Sequence, residues 1–273
     1  MTRTILIGDI HGCLTEFREL VEKIQLRPDD RVICLGDFMD KGPDPVGCVR
    51  FARRRGFESV LGNHEEKHVR WRRHEDRKGR DPNYANPMRA LPENYQWHNA
   101  ELSDADVLWL QQLPIVLKPV PGWVVVHGGL FSGYRLDKQL VDRKMRSKIL
   151  RLRWVHKDTG DFMATEYEDN GKGLTVPEDA VHWTTLYDGR YNVVYGHEAH
   201  SLSKIRMDHL SQDVECYGID TGCVHGGHLT ALVLGPPTPS DGYRLGTLGK
   251  PTVTSVQVKA KQVYEEPPIP IPA

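Results

Sequence analysis

The sequence predicts an α/β fold, and three observations predict it. Short apolar runs end repeatedly in a glycine beside Asp, Asn or His. The first three of these runs alternate with stretches of helical period, and beyond Lys204 short strands follow one another with no helix between them. The clearest run, residues 32–35, stops at Gly36 and opens into Asp37-Phe38-Met39-Asp40-Lys41-Gly42. Glycine marks the point where a buried strand becomes a loop, and the carboxyl edge of the strands is where α/β sheets place their chemistry. The same design recurs at Gly8-Asp9-Ile10-His11, Gly62-Asn63-His64-Glu65, His127-Gly128-Gly129 and Gly196-His197.

Taken in order, the strand at 5–7 leads through Asp9 and His11 into a helix whose apolar face is Leu14, Phe17, Leu20, Val21 and Ile24. The second unit runs from the 32–35 strand to a helix over 46–55, with Pro45 at its first turn and Arg53-Arg54-Arg55 in its last. The third runs from 59–61 into a helix reaching Arg80, dense in Lys67, Arg70, Arg72, Arg73, Arg77, Lys78 and Arg80. Those cations read either as a solvated face or as a wall for a polyanion. Residues 81–99, with Pro82, Pro87 and Pro92 and the aromatics Tyr84, Tyr95 and Trp97, read as irregular, and 68–100 as a lid or specificity insert.

Ser103-x-x-Asp106 resembles a capping box for a helix through Gln112, and Pro121-Gly122 turns into a strand at 123–126. Residues 133–153 read as a basic helix, 157–173 as a polar loop or hairpin, 177–187 as a helix and 192–195 as a strand. Runs at 205–207, 214–219 and 228–234 read as antiparallel strands, with one more at 252–258. The domain reading is a catalytic domain over 1–258 and a proline-rich, extended tail over 259–273.

With 39% hydrophobic and 27% charged residues and a net charge of -1, the chain has material for a core and no bias toward nucleic acid or membrane, so neither is expected as a stable partner. No run approaches the ~20 apolar residues that span a bilayer. A strand begins at once with no signal-peptide core, which predicts a cytoplasmic protein. Cys13, Cys34, Cys48, Cys216 and Cys223 are scattered with no C-x-x-C, and read as buried free thiols rather than disulfides or a thiolate metal site.

The strand ends share one property, a nitrogen or oxygen donor suited to a divalent cation. Asp9 and His11 flank Ile10 and can face one ion; Asp37, with two oxygens, can bridge it to a second, to which Asn63, His127 and His197 are assigned. This donor set suits two divalent ions among Mn, Fe, Zn, Co and Ni; ligand type does not choose among them, and manganese is the working assignment. Two such ions about 3.5–4 Å apart clamp the attacking and leaving oxygens of a phosphoryl displacement, and bound water becomes hydroxide near neutral pH. His64 reads as a general acid oriented by Asp40. Lys41 and Arg153 read as phosphate-binding, with Arg151 or Arg190 as replacements for Arg153. His200 lies close enough in sequence to compete with His197. His182, His209, His225 and His228 read as surface or packing histidines, and Asp220 as a turn cap in preference to a residue touching the site.

In this order and spacing, G-D-I-H-G, G-D-F-M-D-K-G, G-N-H-E, H-G-G and G-H resemble the calcineurin-like metallophosphoesterases of the phosphoprotein phosphatase superfamily, over 5–197 in motifs and to 234 in layout. The resemblance implies a four-layer α/β/β/α sandwich with mixed sheets and a dinuclear metal centre at one end. It implies Asp9, His11 and Asp37 on one metal, Asp37, Asn63, His127 and His197 on the other, and His64 with Asp40 as the acid pair. Lys41 and Leu61 depart from the arginine and basic residue that protein Ser/Thr phosphatases of the superfamily carry there. Asp40-Lys41-Gly42-Pro43 and the stretches 152–155 and 218–223 are instead similar to bacterial diadenosine tetraphosphatase-like members. That implies a phosphohydrolase cutting dinucleoside polyphosphates to nucleoside diphosphates with a metal-bridging hydroxide. A protein phosphatase or broad phosphomonoesterase is the alternative, and a non-catalytic scaffold a third, disfavoured because no ligand is missing.

Overall fold

The computed structural model describes residues 2–134, 143–164, 166–167, 174–211, 214–237, 251–268 and 271–272. Its elements follow as β1 (Thr4–Ile7), α1 (Leu14–Ile24), β2 (Arg31–Cys34), α2 (Pro45–Arg54), β3 (Glu58–Ser59), α3 (Asn63–Arg80), α4 (Glu93–Glu101), α5 (Asp104–Gln112), β4 (Val116–Leu117) and β5 (Trp123–Val126). Then come α6 (Arg143–Ile149), β6 (Trp154–His156), β7 (Phe162–Met163), β8 (Glu166–Tyr167), β9 (Leu174–Thr175), β10 (Ala180–His182), β11 (Asn192–Tyr195), β12 (Arg206–His209), β13 (Glu215–Gly218), β14 (His228–Pro237) and β15 (Pro251–Lys259).

The strands assemble into two five-stranded sheets, β15-β14-β1-β2-β3 and β12-β13-β11-β5-β4. Both are mixed. In the first, β1, β2 and β3 run parallel, β14 runs against β1, and β15 runs against β14; in the second, β5, β11 and β13 run parallel and β12 and β4 antiparallel to them. Strand alternation puts Leu6, Ile33, Leu35, Leu232 and Leu234 of one sheet against Val125, Val194 and Tyr217 of the other, which forms the core between the sheets. The opposite faces, Ile5, Ile7 and Cys34, pack on Phe17, Leu20, Val49 and Ala52 of α1 and α2 and on Leu110 of α5. The outer face of the second sheet is covered by Leu152, Val155, Trp183 and Tyr187, so cover, sheet, sheet and cover make the four layers.

Local chemistry sets the helix starts. Asp44 caps α2 through Gly47 N with Pro45 at the first turn, and Ser103 and Asp106 form the reciprocal box that opens α5. Three predicted elements differ. The irregular 81–99 stretch contains α4, which lacks an apolar stripe because its one buried side chain is Asn99, hydrogen-bonded to His68. The helix predicted over 177–187 is β10 followed by a 3-10 turn at 183–186: Val181 pairs with Val155 of β6, and the His182 side chain caps Thr184 N. Within the helix predicted over 133–153, α6 stops at Ile149, where Gly128 passes so close that a Cβ there would lie 2.5 Å from Ile149 O; residues 135–142 lie outside the described residues. The 214–219 run is antiparallel to β12 as predicted and parallel to β11, because β12 carries the chain out and back. All five cysteines are buried free thiols. Among the described residues no helix is long and apolar enough to cross a membrane.

Arg3 ties the entry of β1 to the turn before β2, its Nε and Nη2 donating to the two oxygens of Asp30. The hydrogen bond from Arg3 holds the Asp30 carboxyl below its ordinary value. Because the folded pKa is depressed, this stabilisation is complete above the unfolded value of about 3.9 and is lost as pH falls through the folded value. Asp30→Asn is expected to lower stability by about 1 kcal/mol at neutral pH. Urea denaturation repeated at about pH 3 should find the gap to the parent protein narrowed.

Candidate metal centre and catalytic cleft

Parallel strands release their following loops at one edge, and here the edges of both sheets meet. His197 N, after β11, donates to Asp9 Oδ2 at 3.0 Å, after β1; the ring Nδ1 of His127, after β5, donates to Leu35 O at 2.8 Å, after β2. Such approach needs glycine: a Cβ on Gly196 would lie 2.0 Å from Asp9 Oδ1, and one on Gly62 would lie 2.2 Å from Asp37 Oδ1.

The loop after β2 is the most constrained of these. Asp37, Asp40 and Lys41 have φ of 48°, 69° and 67°, a left-handed region that side chains disfavour. Glu65 holds it there. Its buried carboxylate accepts from Asp37 N, Phe38 N, Met39 N and Gly62 N at 2.7–3.1 Å. The Asp37 carbonyl in turn accepts from Ile10 N and His11 N, and Gly42 N donates to His11 O, so the first two loops interlock. Burial, with Asp37 nearby, raises the Glu65 carboxyl to about 7. Sequence reasoning missed Glu65, although its place three residues after the N-cap Gly62 is that of a capping-box acid.

Asp37 Oδ2 lies 3.4 Å from His11 Nε2, 3.3 Å from His127 Nε2 and 4.0 Å from His64 Nε2. Two groups with ligand atoms within 4.8 Å share it: His11, Asp37 and His64, and Asp37, His127 and His197. Asn63 Oδ1 is 2.8 Å from His127 Nε2. These spacings are those of donors around an ion with bonds of about 2.0–2.2 Å. The outer hydrogen bonds orient the rings: Nδ1 of His11 donates to Met39 O and Nδ1 of His127 to Leu35 O, which turns both Nε2 atoms inward and leaves that of His11 a lone pair. Lys41 Nζ, a donor only, stands 3.1 Å from His11 Nε2 and so meets that lone pair. Asp9 Oδ1 is buried with no hydrogen-bond partner among the described residues. Carboxylate, amide and imidazole donors thus converge, with the Lys41 cation standing at the His11 ring nitrogen, and the residues fit divalent cations.

Charge agrees with geometry. Burial pushes Asp37 up, but His127 and His64 outweigh it and hold the carboxyl well below the ordinary range. Burial lowers His127, and Asp37 reverses this to raise it to about 9. Burial and Lys41 lower His11; burial and Arg153 lower His197; burial and Asp220 raise Asp9.

Asp40 stands behind His64, accepting from its Nδ1 at 2.7 Å and, through the other oxygen, from His68 Nε2 at 2.7 Å. Burial would raise the Asp40 carboxyl; the hydrogen bonds from His64 and His68 outweigh it and hold it below the carboxylate range. Asn99 Nδ2 braces His68. Neither His68 nor Asn99 was legible as part of the site, since each acts through the next residue.

A cleft of about 890 Å³ opens over these groups, lined by Asp9, His11, Asp37, Asn63, His64 and His197 and by Lys41, Arg151 and Arg153. Arg153 Nη2 donates to His197 O at 3.1 Å, while its Nε is buried with no hydrogen-bond partner among the described residues; Arg151 pairs with Glu66. Arg190 does not line the cleft, and Asp220 does while also capping Gly222 N. The strand-end rule applied to 214–219 would have found Asp220. The cations of α3 are spent elsewhere, Arg72 on Asn99 and Leu102 and Arg77 over the Tyr84 ring, and its last turn is exposed. His182 takes the packing role: it is buried and groups with Glu198 and His200, the latter two lining the cleft.

Two facing mixed sheets with carboxylates, imidazoles and an amide at the shared edge define a metal-dependent phosphoesterase architecture. The chain belongs to the calcineurin-like phosphoesterase family, whose profile matches residues 2–201. Members of this family are hydrolases that use divalent metals. It is 23% identical to the symmetrical bis(5'-nucleosyl)-tetraphosphatase of Haemophilus ducreyi, over 84% of this chain and 94% of that one. It is 28% identical to the asymmetrical bis(5'-nucleosyl)-tetraphosphatase of Halalkalibacterium halodurans, over 83% and 88%. A crystal structure provisionally described as a diadenosine tetraphosphatase shares the fold with a TM-score of 0.63 at 24% identity, covering 94% and 93% of the two chains. A Saccharomyces cerevisiae protein serine/threonine phosphatase shares it at 0.54 and 15%, covering 96% and 81%.

Replacing Glu65 by Gln puts an amide donor where backbone donors converge. The variant is expected to lose about 2–3 kcal/mol of stability, read by urea denaturation, and to retain less metal. Parent-like values of both would show that the 36–42 loop is held by its other contacts.

Proposed function

We propose that this cleft hydrolyses dinucleoside polyphosphates such as diadenosine tetraphosphate to nucleoside diphosphates. The observation that carries the proposal is one carboxylate oxygen, Asp37 Oδ2, within 3.4 Å of both His11 and His127 in a cleft that also presents Lys41, Arg151 and Arg153. Asp9, His11 and Asp37 would hold one divalent ion and Asp37, Asn63, His127 and His197 a second, with manganese the first to test. Bound there, such a pair supplies Lewis-acid charge and lowers the pKa of water toward neutrality.

The remaining work falls to the chain's own side chains. His64, fixed through Nδ1 by Asp40, presents Nε2 to the cleft and delivers a proton to the leaving oxygen. Asp40, buried and ionised, stabilises the imidazolium that does so. Arg153, whose Nε has no hydrogen-bond partner among the described residues, and Arg151 bind non-bridging phosphate oxygens, and Lys41 adds charge on the His11 side. Residues 1–258 form the catalytic domain in this reading, with 68–100 as an insert that borders the acid pair: the Tyr95 ring of α4 lies 6.4 Å from that of His64. The names of the two bacterial relatives support a polyphosphate substrate, and they differ in cleavage symmetry, so product identity decides that point. Buried free thiols fit a reducing compartment such as the cytoplasm.

With manganese-loaded protein, nucleoside diphosphate release from diadenosine tetraphosphate should greatly exceed phosphate release from a phosphopeptide; the reverse ranking would replace this reading by a protein phosphatase. His64→Asn should keep its metal and lose about 10²–10⁴-fold in kcat on diadenosine tetraphosphate, with a smaller loss on p-nitrophenyl phosphate, whose leaving group needs no proton. An unchanged rate on both would remove His64 from the acid role. Asp37→Asn should lower metal content and abolish turnover while retaining the fold by circular dichroism.

A further inference from the structure

The segment after β15 takes part in the cleft. Ala260 N donates to Gly227 O, Tyr264 N and Glu265 N both donate to Val224 O at 2.9 and 3.1 Å, and His225 Nδ1 donates to Glu265 O at 2.7 Å. From beneath, the buried Glu16 accepts from Lys261 N at 2.9 Å and from the Tyr264 hydroxyl at 2.8 Å. Glu16 stands five positions after His11 on α1, and Val224 four after Asp220, so the segment is pinned on the His11 side of the cleft. There Glu265, Glu266, Pro267 and Pro268 line the same cleft as Asp9, His11, Asp37 and His64.

The cleft therefore has two chemically different sides. Arg153 is bonded to His197 O and presents donors with Arg151. At 265–268 the side chains offer acceptors and no donor: carboxylates from Glu265 and Glu266, of which Glu265 Oε2 is buried with no hydrogen-bond partner among the described residues, and prolines with no N–H at 267 and 268. Lys41, on this side, is turned to His11 Nε2. Around Glu265 and Glu266 the wall repels phosphate oxygens and suits hydroxyl or amino groups.

We propose that Glu265 is a specificity-determining residue that admits a substrate arm ending in a donor-rich, unphosphorylated group, such as a sugar with free hydroxyls, along the 265–268 segment and rejects an arm that ends in phosphate. This rests on the reading of the cleft as a site of phosphoester hydrolysis. The test uses the full-length, manganese-loaded chain and its Glu265→Lys, Glu265→Gln and Glu265→Asp variants. Two quantities are read: the kcat/KM ratio of inorganic tripolyphosphate to p-nitrophenyl phosphate, and the Kd of tripolyphosphate by calorimetry. Glu265→Lys is expected to raise the ratio and tighten the Kd by about tenfold, Glu265→Gln by about threefold, and Glu265→Asp to match the parent. Both quantities within about twofold of the parent in the Lys and Gln variants, with metal content retained, overturn the filter. Should the Lys variant not fold, the Gln variant decides, because the bonds to Val224 O and from His225 Nδ1 that anchor residue 265 are made by its backbone. A parent protein that turns over no phosphoester refutes the hydrolytic reading, while the calorimetric comparison still decides the role of Glu265.

Discussion

Four backbone N–H groups, of Asp37, Phe38, Met39 and Gly62, point at one buried carboxylate, that of Glu65. The bonds join the end of β2 to the first turn of α3 and hold residues in backbone conformations that side chains avoid. Asp37 could not otherwise turn its carboxylate toward histidines from both sheets. The backbone geometry is costly by itself and is stable because the acceptor is dry and shared by several donors. The site is thus organised by a residue that touches neither the proposed metals nor a substrate.

The second constraint is topological. Parallel β1, β2 and β3 in one sheet and β5, β11 and β13 in the other send six following loops to one edge, where Asp9 accepts from His197 N and His127 donates to Leu35 O. The apolar core between the sheets fixes how closely the two edges approach. Glycines at 62 and 196 admit contacts that any Cβ would block. Core packing and acceptor placement are therefore one problem here, and a change between the sheets reaches the cleft through Leu35, whose side chain is in that core and whose carbonyl orients His127.

Charge is distributed with the same economy. Asp40 serves His64 and His68 at once, buried between them, and Asn99 of α4 completes the chain of hydrogen bonds. The basic residues of α3 that suggest a polyanion wall in the sequence serve instead to hold the 81–102 stretch or face solvent, while the cleft draws its guanidinium groups from the turn before β6. A count of positive charge along the chain does not locate them, because it carries no information on which face each side chain takes.

The sequence by itself determined the α/β class, the three leading β-loop-α units and the donors at strand ends, because strand period, helix period and the glycine that ends a strand are local properties. Asp9, His11, Asp37, Asn63, His64, His127 and His197 come together in the structure from places separated by up to 188 positions, and each was legible from its own short motif. Only the tertiary structure decided what depends on a partner distant along the chain. It made α4 a helix around one buried amide, turned 177–187 into a strand and a short turn against β6, and brought Glu265 beside the groups that follow β1. Polar residues carry no periodic mark of burial, so their roles exist only once packing has chosen what they face.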